Sequence, residues 1–267
     1  NKGDIKSSIK NYEQAIKNNK EHVDAHNNSG VALKKLNRFS EAHLAFKRAI
    51  QIKPDYVEAH NNLGNLQIEQ GKIKESIGNF KEAIKIKPDY VEAYSNLGIA
   101  FHQLGDFDES FACYQKAIKL QPNFTKLYNN LAASLTYQGR IDEAKKNYNE
   151  AFKIEPKRTE YVINANLIMP AIPESRADIE IWRKKYIFSI DTLTNYKHSI
   201  NDPQKTINPP TFSLAYGDSK NLEVMKKISK FFRHALPIIN YKFQKNKKTI
   251  SNNKKIKVGF ISEFFTD

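Results

Sequence analysis

Cysteine, tryptophan and methionine are scarce in this chain: among 267 residues there are one, one and two of them. The lone Cys113 excludes an internal disulfide and fits a reducing compartment, so a cytoplasmic protein is expected. No apolar run approaches the roughly 18 residues of a membrane span, and no signal peptide is visible; no membrane partner is expected. Also missing are metal-ligand spacing, a glycine-rich phosphate loop and a nucleophile–base pair. No catalytic, cofactor-binding or metal site is therefore expected within these residues. The chain begins at Asn1 rather than Met and stops at Asp267 just after an apolar run, which leads to the expectation of a fragment of a longer protein.

Acids are short relative to bases, 29 Asp and Glu against 43 Lys and Arg, for a formal charge of +14. The excess is uneven: residues 1–156 carry +4 and residues 157–267 carry +10. Such charge can attract nucleic acid. Here, however, the bases are scattered, acids stand among them in the first part, and no nucleic-acid motif accompanies them. A genome rich in Lys, Asn and Ile codons accounts for the same composition, and no nucleic-acid partner is expected.

What is present is a repeat. Pro54, Pro88, Pro122 and Pro156 stand 34 residues apart. Ala49, Ala83, Ala117 and Ala151 precede them in step, as do Phe46, Phe80, Tyr114 and Tyr148. Gly30, Gly64, Gly98 and Ala132 mark the front of each unit. This order of small, aromatic and proline positions at this period is that of the tetratricopeptide repeat (TPR), in which each unit is a pair of antiparallel helices. Gly71, Gly105 and Gly139 fall at the turn between the two helices, with Asn37 in the first full unit, where a residue at positive φ is often needed. No unit can bury its apolar faces alone, so neighbours stack into a right-handed superhelix. The expected fold is all-α, with a half repeat over 1–20 and full repeats over 23–54, 57–88, 91–122 and 125–156.

In this architecture the first helices line the concave surface. Asn28, Asn62, Asn96 and Asn130 recur there every 34 residues. An amide carries donor and acceptor, so a column of them can hold the backbone of an extended polypeptide without reading its side chains. The other reading is that asparagine here tolerates a solvated face or bonds the neighbouring repeat. Asn27, Asn61 and Asn129 stand beside the column as weaker candidates. Early in the first helices come Asp24, Glu58 and Glu92, with Lys126 in the fourth unit. A clamp for a peptide's terminal carboxylate needs bases at such a surface, so this pattern favours a neutral or basic extended segment. His26, His60 and His102 lie on helices where packing or exposure explains them, and Cys113 reads as a small buried side chain.

After Pro156 the 34-residue phase is expected to fail while helical signals persist over 157–243. A helix is expected from Thr159 to about Ile168, and a long one after Ser175, an N-cap with Asp178 three residues on. Ile179, Trp182, Tyr186, Ile190 and Leu193 form its apolar face, with Trp182 as packing. A further helix is expected from about Asn221 to Ala235. Residues 244–255 read as a basic linker. Residues 256–267 contain Lys257-Val258-Gly259-Phe260-Ile261-Ser262, a buried strand that would open a truncated α/β domain.

Taken together, the chain resembles the O-linked N-acetylglucosamine transferase family, a TPR superhelix joined to a two-lobed glycosyltransferase. The repeat wording Ala59-His60-Asn61-Asn62-Leu63-Gly64 is similar to that family's repeats. More specific are Ile172-Pro173-Glu174-Ser175, Trp182-Arg183, Asp202-Pro203, Phe212 to Tyr216 and Ile256 to Phe265, in the order of bacterial members. The resemblance covers essentially the whole chain. It departs where family members often have His-Gly after the tyrosine, since Gly217 follows Tyr216 directly. The resemblance implies transfer of N-acetylglucosamine or a related sugar from a UDP-sugar to Ser or Thr of a protein, by an inverting enzyme without catalytic metal. It implies that Asn28, Asn62, Asn96 and Asn130 contact the acceptor polypeptide. The groups that would bind the UDP-sugar fall beyond Asp267, so this chain alone is expected to be inactive. The alternative is a TPR interaction scaffold fused to some other α/β domain.

Overall fold

The structure, a computed structural model, describes residues 2–168, 175–194, 226–228 and 230–231. The described residues contain no strand. The linker over 244–255 and the strand expected within 256–267 lie outside them, as do Ile172, Pro173, Glu174, Asp202, Pro203 and the Phe212–Tyr216 segment.

Helix α1 spans Lys2–Asn18. Four pairs follow: α2 (Val23–Lys35) with α3 (Phe39–Ile52), α4 (Val57–Glu69) with α5 (Ile73–Ile86), α6 (Val91–Leu104) with α7 (Phe107–Leu120), and α8 (Thr125–Tyr137) with α9 (Ile141–Ile154). Helices α10 (Glu160–Leu167) and α11 (Arg176–Thr194) continue the stack. The pairs form a TPR superhelix, as the period predicts.

Each pair is closed by the same turn. Asn37, Gly71, Gly105 and Gly139 have φ of 60°, 74°, 83° and 74°. In the second pair Lys72 N donates to Gln67 O at 2.8 Å and Gly71 N to Ile68 O at 2.9 Å, which is a Schellman cap. Arg38, Asp106 and Arg140 donate to Leu33, Phe101 and Leu135 in the same way. The second helices end where Lys53, Lys87, Gln121 and Glu155 donate to the carbonyls of Ala49, Ala83, Ala117 and Ala151, just before each proline.

Small residues set the distance between the helices of a pair. A Cβ on Gly64 would stand 2.6 Å from Phe80 Cε1, and one on Gly30 the same distance from Phe46 Cε1. Phe46, Phe80, Ala42, Ser76, Ala49 and Ala83 are wholly buried. In the third pair Ser110 Oγ donates to Gly98 O at 2.8 Å, so its hydroxyl replaces a methyl without an unpaired polar group. Apolar clusters then join each pair to the next: Leu63 and Leu66 of α4, for example, share one with Phe46 of α3.

The fourth residue of the first helices repeats a further contact. His26 Nε2 stands 3.0 Å from Lys20 O and His60 Nε2 2.8 Å from Pro54 O, while Tyr128 OH donates to Pro122 O at 2.9 Å. These side chains tie a helix start to the loop before it, where packing or exposure is expected for His26 and His60. His102 packs edge-on to Tyr137 with its Nδ1 3.2 Å from Ser134 Oγ. Cys113 is half-buried rather than buried, and burial pushes its thiol up to about 11.

Beyond α9 the helices keep stacking. Ser175 Oγ accepts from Asp178 N at 3.1 Å, the cap expected there. Tyr186, Ile190 and Leu193 of α11 share a core with Ile163 and Leu167 of α10 and with Ile228 and Phe231, and Trp182 packs against it. The described part of 226–231 is helical, within the span expected from Asn221 to Ala235. Asn164, on α10, stands 34 residues after Asn130.

Candidate functional site

A helix packed on three sides leaves one stripe uncovered, and the first helices show which. In α2, α4, α6 and α8 the second, sixth, ninth and thirteenth residues are exposed or half-buried in every unit. The seventh, eighth and tenth are buried in all four. The stripe follows steps of three and four, one face of a helix. It holds Glu58, Asn62, Asn65 and Glu69 in the second unit and Glu92, Asn96, Ile99 and Gln103 in the third. First helices of successive units touch each other more extensively than second helices do, so they lie on the inner side of the curve. The uncovered stripes together make a concave groove.

The asparagine column lies within this stripe: Asn28 is exposed, and Asn62, Asn96 and Asn130 are half-buried. Its amides are already partly used. Asn62 Nδ2 donates to Asn27 Oδ1 at 2.9 Å, and Asn96 Nδ2 donates to Asn61 Oδ1 at 2.9 Å. The buried Asn27 and Asn61, the weaker candidates beside the column, are thus the acceptors of a ladder between repeats. Both readings of the column meet in one residue. The donor bonds the neighbouring repeat, and the carbonyl Oδ1 of Asn62 and of Asn96, with no partner among the described residues, remains for a ligand.

The ladder stops at the fourth unit. Ser95 takes the place that Asn27 and Asn61 hold, and Asn130 Nδ2 is buried with no hydrogen-bond partner. Asn164 does not extend the groove surface, because it is buried in α10. Lengthening the column by spacing alone would have included it; only burial removes it.

At the starts of α2, α4 and α6 the charge facing the groove is opposite to that of the chain. Asp24, Glu58 and Glu92 are exposed at the first turn of α2, α4 and α6. Asp24 Oδ1 accepts from Tyr56 OH at 2.6 Å, and burial followed by that hydrogen bond pushes the Tyr56 phenol well above its ordinary value. Tyr90 is pushed up to about 12 by burial and by Glu92 and Glu58. Deeper along the stripe, α2 ends on the exposed Lys35, and Glu69 at the same place in α4 pairs with Lys34 at 2.9 Å. Lys126 forms no ion pair among the described residues. No group of histidine, cysteine and acids with metal-site spacing occurs among the described residues, and no helix there is long and apolar enough to cross a membrane.

Models of the TPR family match this part of the chain. One described as a TPR repeat matches residues 32–71 and again 64–105, and two described as tetratricopeptide repeat match 91–124 and 113–146. No curated protein matches the chain. Among solved structures, one of MamA is 24% identical at a TM-score of 0.53, covering 60% of this chain and 94% of its own. A structure of YrrB, described as a TPR protein with an unusual peptide-binding site, is 21% identical at 0.53, covering 67% and 91%. A thermophilic TPR protein of Thermus thermophilus is 21% identical at 0.53, covering 61% and 89%. At these identities the likeness concerns the fold. Residues 32–146 are TPR repeats, and nothing in these likenesses points to a sugar transferase.

Proposed function

We propose that this chain is a protein-interaction scaffold whose concave groove holds an extended polypeptide by its backbone. The observation that carries this reading is the pair of carbonyl acceptors on Asn62 and Asn96, unused among the described residues and set one repeat apart on a surface that no other described element covers. A carbonyl acceptor meets any backbone N–H, so the groove is sequence-tolerant. The likeness to YrrB, whose description names a peptide-binding site, agrees with it.

The ladder supplies its own control. Asn27→Ala and Asn62→Ala break the same inter-repeat hydrogen bond, but only the second removes a groove carbonyl. Titrating unrelated extended peptides should show a loss of about 1 kcal/mol, roughly fivefold in Kd, for Asn62→Ala and again for Asn96→Ala. Asn27→Ala should lower stability and leave affinity nearly unchanged. Loss of one peptide only, with others unaffected, would replace backbone holding by a dedicated side-chain interface.

A finer reading rests on the resemblance of the segments between 172 and 265 to O-linked N-acetylglucosamine transferases. In it the groove presents an acceptor protein to a glycosyltransferase domain opened by residues 256–267, with a UDP-sugar as donor and Asn28, Asn62, Asn96 and Asn130 as acceptor contacts. Residues 1–267 alone should then turn over no UDP-sugar, whereas the product of the whole gene should transfer labelled sugar to Ser or Thr of a bound protein. Absence of transfer by the whole product would leave the scaffold, fused to some other domain.

A further inference from the structure

Resting on the groove reading, we infer that the ligand carries a defined charge order: three cationic side chains about three residues apart, then an acidic one at the same interval. Helices in contact lie about 8–10 Å apart, and an extended chain advances about 3.3 Å per residue, so each repeat spans about three residues of ligand. Asp24, Glu58 and Glu92 mark three successive repeats with a carboxylate at the same place on the exposed stripe. At the fourth repeat the sign reverses to Lys126.

Helix stability does not account for that reversal. A carboxylate in the first turn complements the positive end of a helix, and a lysine there forgoes the benefit. Lys126 is not retained by an ion pair among the described residues either. The polar groups change at the same boundary. Asn62 and Asn96 spend their donors on the ladder and leave their carbonyls to the groove, whereas Asn130 Nδ2 is buried without a partner because Ser95 replaces asparagine. The exposed charge therefore changes sign where the ladder ends: Asp24, Glu58 and Glu92 favour cations, and Lys126 favours an acid.

The test uses the full chain and labelled peptides followed by fluorescence anisotropy at low salt. The matched peptide has lysine at three positions spaced by three and glutamate at the next such position; the inverted one exchanges the charges. The matched peptide should bind at least about tenfold more tightly, with the gap narrowing as salt is added. Lys126→Glu should move the preference to a peptide with lysine at all four positions. Glu58→Lys with Glu92→Lys, both at exposed sites, should abolish the preference for the matched peptide. Equal binding of matched and inverted peptides would overturn the charge order while leaving the groove in place. Binding of no peptide of any charge would overturn the groove and this inference with it.

Discussion

At Gly64 the presence or absence of one methyl group decides how closely two helices pack. Its Cβ would sit 2.6 Å from Phe80, whose ring is wholly buried and has nowhere to retreat. Gly64→Ala should therefore cost about 1–3 kcal/mol in urea unfolding. Gly78 is the control on α5: nothing lies within 4 Å of its Cβ, and Gly78→Ala should stabilise by about 0.5–1 kcal/mol. His102 makes a second residue-scale prediction. Burial lowers its pKa in the fold, as burial and then Lys47 and Lys72 do for His43. With the folded value below the unfolded one, the unfolded state binds more protons, so stability falls as pH drops below about 6.5. Unfolding midpoints from about pH 7.5 to about 5 should show this slope, and it should shrink in His102→Gln and further in the double variant with His43→Gln. The glycines and aromatics were legible in the sequence because their spacing repeats. The histidine contacts were not, since nothing in a spacing says that Ser134 and Tyr137 lie beside His102.

At the scale of elements, the ladder couples first helices that are separated by 34 residues. It runs from α2 to α4 and from α4 to α6, then fails between α6 and α8 at Ser95. Ser95→Asn should restore the acceptor, satisfy Asn130 Nδ2 and raise stability by about 1 kcal/mol, with slower amide exchange in α6 and α8. An unchanged or lowered stability would show that Asn130 is not short of an acceptor. The column Asn28, Asn62, Asn96 and Asn130 was visible as a period, but the pairing of Asn62 with Asn27 was not. Adjacent residues on one helix point about a third of a turn apart. Which of them bonds a neighbour and which meets solvent depends on where the next helix lies.

Over the whole molecule, stability is a sum of local interfaces, because each pair touches mainly its neighbours. Burial differs along the stack. Ser8, Tyr12 and Ala15 of α1 are only half-buried, whereas their counterparts Ser76, Phe80 and Ala83 of α5 are wholly buried. Amide exchange in residues 1–267 should be faster in α1 than in α5, and unfolding monitored at the two places should not coincide. The repeat, its turns and the helix pairs could be read from the residues alone, because a 34-residue period with glycine, aromatic and proline in register leaves one way to bury each apolar face. The sequence also carried Asp24, Glu58, Glu92 and Lys126 in plain view. What the asparagines do follows from the stacking instead. Stacking brings Asn27 within hydrogen-bond distance of Asn62, buries Asn164 in α10, and leaves the carbonyls of Asn62 and Asn96 in the groove. The physical reason is that period reports the fold of one unit, while a binding surface depends on how neighbouring units cover each other.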